Sequence, residues 1–329
     1  MNSIIFAINA VSPIIIMVVI GYILKRIGFL NLEISKVLNK LVFRLFLPVL
    51  LFINVYNINA VTDVNLTYIA YAVVFVIVVF AIAVPTVIAL TPHAERRGPL
   101  LQATFRSNYA LIGIPLASSL FGDAGVAVAA LLSAVSIPLY NVLAVISLSI
   151  FRKGGERPSV KKILKGITHN PLINGVLLGV VMLLIRSLFV NYNVNFRLSD
   201  IEPLMKVLTY LSNLATPIAL IVLGVQFEFS AIASMRREII SGTLARIVIS
   251  PLIGLGIALL FFRDVFDGAV FAAFVALFAT PVAVSSVPMA QEMDADASLA
   301  GQLVVWTTLL SAFTVFLASF LLDLAGVFV

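Results

Sequence analysis

The chain has 329 residues, of which 62% are hydrophobic and only 11% are charged. A water-soluble domain is about half apolar and about a quarter charged, so this composition excludes a soluble globular protein. The formal net charge of +6 comes from basic residues in loops between apolar runs, a pattern that indicates membrane orientation and no nucleic-acid partner.

Metal and thiol chemistry is excluded by residue counts. The chain has no cysteine and two histidines, so disulfides, thiolate sites and histidine metal sites are ruled out. It also lacks a glycine-rich phosphate loop and a nucleophile elbow, which argues against an enzyme. We expect no metal and no cofactor.

Apolar runs in chain order predict ten transmembrane helices, each near the roughly 20 residues that cross a bilayer. The first run has no basic region before it and no small-residue cleavage site, so it is interpreted as a span and not a signal peptide. The predicted spans are 3–24, 38–56, 66–90, 99–121, 124–150, 170–190, 203–226, 239–262, 268–290 and 298–325.

Basic residues concentrate in the loops after spans 1, 3, 5 and 7, and the longest of these loops is 151–169. Because positive charge stays on the cytoplasmic side, both termini are predicted to be extracytoplasmic. The loop after span 9 is acidic yet cytoplasmic in this topology, and acidic residues contribute little to orientation.

The two halves of the chain, 1–150 and 170–329, repeat one pattern of prolines and glycines. Pro85 and Pro251 occupy matching spans 166 positions apart, and Pro115 and Pro281 show the same separation. Since five spans is an odd number, the second copy enters the membrane from the opposite face. The sequence therefore predicts an all-α membrane protein built from two inverted five-helix repeats, which is typical of secondary transporters.

Spans 4 and 9 carry helix-breaking residues, in "NYALIGIPLASS" and "FATPVAVSSVPMA". Unwound backbone at membrane depth is tolerated only where it is buried or lines a cavity. We expect helices 4 and 9 to be broken and crossed, with half-helix N-termini aimed at a carboxylate. The alternative, two kinked structural helices, is preferred for the prolines of the other spans.

Candidate binding residues lie beside these breaks, with Asn141 added from span 5. Arg106 is a further candidate for attracting an anion, with snorkelling to the interface as the equal alternative. Snorkelling is expected for Arg44 and Arg246. No carboxylate lies deep in a predicted span, which weakens the case for ion coupling. The substrate-binding candidates are Asn108, Tyr109, Gly113, Ile114, Pro115, Asn141, Thr280, Pro281, Val282 and Ser285.

An ordered set of motifs resembles the auxin efflux carrier family along the whole chain, among them "SPIIIMVVIGYILKRIGFLN", "FRSNYALIGIPLASSLFG" and "TPVAVSSVPMAQEMDADAS". The resemblance implies a scaffold domain from helices 1, 2, 6 and 7 and a transport domain from helices 3–5 and 8–10. It implies crossing points at Pro115 and Pro281 and a substrate contact at Asn108. Plant members carry a second asparagine where this chain has Thr280.

The function expected from these features is secondary transport of organic anions, either small carboxylates or auxin-like indole acids, by an elevator mechanism driven by membrane potential or a proton gradient. One alternative is a sodium-coupled organic-anion symporter of the related bile-acid type. Another is a membrane sensor that does not transport. The expected partners are the lipid bilayer and a small organic anion, and a homodimer is left open.

Overall fold

A computed structural model describes residues 2–57, 66–151, 168–192, 194 and 196–328. Most of the basic loop predicted at 151–169 lies outside the described residues. Within the described ranges the chain is helical, apart from turns and one isolated antiparallel bridge. Seven of these helical stretches are long and apolar enough to cross a membrane. The prediction of an all-helical, multi-pass membrane protein is confirmed.

The described helices follow the predicted spans closely. Those of the first half are α1 Asn2–Arg26, α2 Leu32–Leu41, α3 Leu47–Tyr56, α4 Leu66–Leu90, α5 Ala94–Phe105 and α6 Ile114–Ile150. Those of the second half are α7 Pro171–Asn191, α8 Glu202–Gln226, α9 Ala231–Leu244, α10 Ser250–Phe261, α11 Gly268–Phe278, α12 Ser286–Glu292 and α13 Ala297–Leu324.

Three short π-helical segments each stand just before a proline. They are Val42–Phe46 before Pro48, Tyr109–Gly113 before Pro115, and Ala245–Ile249 before Pro251. A proline ring collides with the carbonyl four residues earlier in a regular α-helix, and the wider π turn relieves this clash. The helix therefore continues through each of these prolines.

Helix α6 covers the end of predicted span 4 and all of predicted span 5. Its course changes at Phe121 and Gly122, whose backbone angles are not helical. Gly122 has φ 56° and ψ −145°, a conformation that only glycine adopts without strain. This change of direction lies at the expected boundary between predicted spans 4 and 5.

Both predicted broken helices are interrupted, but the first break is not at its proline. Predicted span 4 is interrupted at 106–108, between α5 and the π segment, and Pro115 lies seven residues beyond in continuous helix. Predicted span 9 is interrupted between α11 and α12, and this break does contain Pro281. The expectation of a crossing at Pro115 was therefore wrong, because the preceding π turn accommodates that proline.

Two helix pairs pack closely through glycine. Helix α1 lies against α8, where a Cβ on Gly21 would overlap the carbonyl oxygen of Ile221. Helix α7 lies against α3, where a Cβ on Gly175 would overlap the carbonyl oxygen of Pro48. In terms of predicted spans, span 1 packs on span 7 and span 6 packs on span 2.

The buried apolar side chains form two clusters. One includes residues of α1, α3, α7 and α8, such as Leu51 and Leu220, and extends across α5, α6, α9, α12 and α13. The other joins α4–α6 to α10 and α11, and its aromatic centre includes Phe75, Phe274 and Phe278. Among the described residues, both clusters therefore draw on α5 and α6, and the first joins α1, α3, α7 and α8 to the helices around the two breaks.

Helix α9 begins at Ala231, eight residues before the predicted span, and so places Glu238 inside a membrane-length helix. Glu238 lies seven residues from the start of this 31-residue helical stretch, so the expectation that no carboxylate lies deep in a span stays a prediction. Glu238 is buried and accepts hydrogen bonds from Thr91 at 2.8 Å and from Arg96 at 3.2 Å. Arg96 also contacts Asp296 at 3.3 Å, so this network ties α5, α9 and α13 together.

Candidate functional site

The two helix breaks meet and pair with each other. The N–H of Asn108 donates to the carbonyl of Pro281 at 2.8 Å, and the N–H of Ala283 donates to the carbonyl of Arg106 at 3.4 Å. These two bonds make an antiparallel bridge between Ser107 and Val282. Backbone that leaves the helix at membrane depth is thereby paired internally, as a bilayer requires.

This pairing limits which backbone amides can bind a ligand at the crossing, the place where the two breaks meet. The amides of Asn108 and Ala283 are already engaged, and the N–H of Val282 donates to Thr307 Oγ1 at 3.1 Å. Helix α12 has only seven residues, so its macrodipole is small. These three amides are therefore not available to hold a carboxylate, and the expectation that half-helix N-termini do so stays a prediction.

The positive charge comes from Arg106, the C-cap residue of α5, which is 3% exposed. Its Nη1 donates to Gln102 Oε1 at 2.8 Å and contacts the sulfur of Met289. Its Nη2 donates to Asn141 Oδ1 at 2.9 Å and to Ser285 Oγ at 2.8 Å. The guanidinium thus joins α5 and α6 to the second break, and it is buried in the protein where snorkelling would have exposed it.

All four of these partners are neutral. Among the described residues, no carboxylate forms an ion pair with Arg106. A buried charge without a counter-charge costs several kcal/mol, and hydrogen bonds to neutral groups offset only part of it. The crossing is therefore an electropositive point that an incoming anion would neutralise.

Arg106 lies at a small cavity of about 70 Å³ between the crossing and helices α3, α7 and α8. A site of this size has room for a few water molecules or for a carboxylate group. On the crossing side the wall contains Ser107, Asn108, Tyr109, Tyr140, Asn141 and Ser285. On the other side α3, α7 and α8 supply apolar residues together with two polar ones, Asn54 and Thr216.

A wider space of about 420 Å³ adjoins this cavity and shares Asn54, Ala110 and Ile137 with it. Asn57 and Asp123 line its outer part. Within the described residues the Nδ2 of buried Asn108 has no hydrogen-bond partner. An unpaired buried donor beside a cation is the arrangement that a carboxylate oxygen satisfies.

The predicted site residues fall into three groups. Arg106, Asn108, Tyr109, Asn141 and Ser285 line the cavity together. Ile114 lines the adjoining space. The remaining candidates lie close in sequence but do not line the cavity, and they are Gly113, Pro115, Thr280, Pro281 and Val282. The hydroxyl of Thr280 donates back along α11 to the carbonyl of Ala276 at 2.7 Å.

Sequence reasoning missed several contributors. Gln102 holds Arg106 from one turn earlier on α5, a spacing that was readable in the sequence. Tyr140 is adjacent to the predicted Asn141, and its hydroxyl lies 3.5 Å from Ser107 Oγ. The wall supplied by α3, α7 and α8 carried no signal, because apolar residues in a membrane helix look alike whether they face lipid or a cavity.

The other two intramembrane arginines differ from each other. Arg44 has a side chain that is 63% exposed and reaches Glu292 at 3.7 Å, in keeping with a position near an interface. Arg246 is 1% exposed and donates to two backbone carbonyls. The expectation that Arg246 snorkels was therefore wrong.

Comparison with known proteins gives results consistent with this architecture. A family profile described as membrane transport protein matches residues 6–319. An uncharacterized transporter of Methanothermobacter thermautotrophicus is 26% identical over 319 residues, covering 92% of this chain and 94% of the relative. An uncharacterized transporter of Methanocaldococcus jannaschii is 25% identical over 253 residues, covering 74% and 76% of the two chains.

Proposed function

Because the chain belongs to the membrane transport protein family, the auxin efflux carrier family, we propose that it is a secondary transporter of organic anions. The family is one of transporters and not of enzymes. The observation that carries the proposal is the buried, acid-free environment of Arg106 at the paired helix breaks. A carboxylate would supply the missing negative charge and accept from the free Nδ2 of Asn108.

The walls of the cavity favour a particular kind of acid. Arg106 is the only cation among the residues that line the described cavity, so one negative charge balances the site. The facing wall is mostly leucine and alanine, with Leu47, Leu50 and Ala219 among them. We therefore expect an acid with one carboxylate and an apolar body, such as an aryl or indolyl acetate, in preference to a dicarboxylate.

The packing supports the proposed inverted repeat of ten helices. The pairing of span 1 with span 7 and of span 6 with span 2 is what a two-fold axis in the membrane plane would generate. These four spans would form the scaffold, and the helices on the other side of the cavity would form the transport domain. A cavity between these two groups of helices suits an elevator movement of one group along the other.

The proposed topology also implies to which side of the membrane the wider space opens and how the membrane potential would act on the anion. Glu292 contacts Arg44, and Gln291 contacts Gln226, on the side that the charge pattern assigns to the cytoplasm. The wider space lined by Asp123 opens toward the other side. An anion carried outward is expelled by the inside-negative potential, which is worth about 2.3 kcal/mol per charge per 100 mV.

Uptake and counterflow in proteoliposomes test the proposal. The purified protein would be assayed with radiolabelled phenylacetate, indole-3-acetate, malonate and malate, at set membrane potentials. We expect saturable transport of the two monocarboxylates that responds to potential and is unchanged when sodium is replaced by choline. Folded protein that transports none of the four acids would refute the proposal, and dependence on sodium would favour the bile-acid-type alternative.

A further inference from the structure

Arg246 occupies a buried position behind the crossing, on the π segment between α9 and α10. Its Nε donates to the carbonyl of Thr280 and its Nη2 to the carbonyl of Leu277, both at 2.7 Å. It does not line the cavity. No described carboxylate forms an ion pair with it.

Its two acceptors are carbonyls at the end of α11. Every residue of this 11-residue helix is buried, so water does not screen its C-terminal end. The C-terminal end of a helix carries a partial negative charge on its unpaired carbonyls. Here that end points into the second break, next to the Pro281 carbonyl that pairs with Asn108.

A broken helix therefore presents a problem to any anion site. Each break brings in a C-terminal end as well as an N-terminal one, and the C-terminal end repels an anion. At the first break Arg106 is itself the C-cap residue of α5. At the second break the corresponding cation is Arg246, supplied from a different helix.

We propose that Arg246 is a positioning residue that makes the crossing selective for anions. Its charge neutralises the C-terminal end of α11, and its hydrogen bond to the Thr280 carbonyl fixes the peptide next to the one that pairs with Asn108. The inference rests on the proposed function, since it concerns how the same site holds a carboxylate.

The test compares two probes of nearly equal shape, phenylacetate and its neutral amide, phenylacetamide. Affinity for each is measured by competition in proteoliposomes for wild type, Arg246→Gln and Arg246→Lys. We expect Arg246→Gln to reduce the preference for the carboxylate over the amide about tenfold, the size of a helix-end charge effect in a partly buried setting. Arg246→Lys keeps the charge and should retain most of that preference.

Arg44→Gln is the matched control, because Arg44 also lies on a π segment that precedes a proline, in predicted span 2, and its side chain is 63% exposed. It should leave the preference unchanged. Equal weakening of both probes in a folded Arg246→Gln protein would indicate a purely structural role and overturn the inference. If Arg246→Gln does not fold, loss of the preference in Arg246→Lys would overturn it instead. Folded wild type that binds neither of these probes and none of the other three acids would refute the proposed function itself.

Discussion

At the scale of single residues, the sequence identified Arg106 as a candidate cation of the site but did not show whether its side chain is exposed or buried. Its depth in span 4 was visible in the sequence, but depth alone does not distinguish an arginine that snorkels from one that is enclosed. The distinction comes from partners far along the chain, Asn141 and Ser285, which only the fold brings to it.

Replacing Arg106 with glutamine should abolish the charge while leaving hydrogen-bonding capacity. A charge-assisted hydrogen bond is worth about 1.5–3 kcal/mol, so we expect carboxylate affinity to fall about 10- to 100-fold. Competition binding with phenylacetate measures this, and Arg44→Gln serves as the control. Unchanged affinity in Arg106→Gln would contradict the assignment of the anion site.

Replacing Gln102 with glutamate should supply Arg106 with an internal counter-ion. Gln102 already places its Oε1 2.8 Å from Nη1, and its buried Nε2 has no partner in the described structure. The substitution removes an unpaired donor worth about 1–3 kcal/mol and pairs the charge, so thermal stability should rise. Carboxylate affinity should fall at least tenfold, because the internal acid competes with the ligand.

The opposite signs of these two effects make the Gln102→Glu test decisive. Gln226→Glu adds the same charge away from Arg106 and should leave phenylacetate affinity unchanged. Thermal unfolding in detergent and competition binding are measured on the same preparations. A Gln102→Glu protein that binds phenylacetate as wild type does would show that Arg106 is not the anion contact.

At the scale of elements, prolines indicated which spans contain an irregular helix, but not whether the helix breaks or continues at the proline. Pro48, Pro115 and Pro251 each follow a π turn and remain inside continuous helix. The first break instead falls at 106–108, where no proline stands, because the backbone there pairs with the second break. A contact between distant segments decides this location, so sequence reasoning placed it seven residues too late.

Close packing between α1 and α8 gives an element-scale prediction. A methyl group on Gly21 would overlap the backbone of Ile221, so Gly21→Ala should force the helices apart at a cost of about 1–3 kcal/mol. Gly256 on α10 has no neighbouring atom within 4 Å of an added Cβ. Gly256→Ala should therefore raise stability by about 0.5–1 kcal/mol. Thermal unfolding of the two variants checks this, and equal effects would argue against the packing.

At the scale of the whole molecule, much of the fold was readable from the sequence. Apolar runs predicted the helices, and the correspondence between segments that repeated prolines and glycines suggest stays a prediction. The cavity at the crossing and its wall from α3, α7 and α8 were not readable. Those features depend on which faces of uniformly apolar helices meet, and composition does not encode that choice.

The proposed movement of the transport domain against the scaffold can be tested by cross-linking, since the chain has no native cysteine. Gln226 on α8 donates to Gln291 on α12 at 2.9 Å and so spans the proposed scaffold and transport domains. Joining Gln226→Cys to Gln291→Cys with a short thiol-reactive linker should stop phenylacetate transport, because the two domains can no longer slide. Tyr22 and Phe229, whose ring centroids are 5.7 Å apart at one end of the α1–α8 pair, provide the matched control. Linking cysteines at those two positions should leave the rate of phenylacetate transport unchanged, since both lie outside the proposed transport domain. Equal transport before and after linking positions 226 and 291 would show that the domains do not move relative to each other.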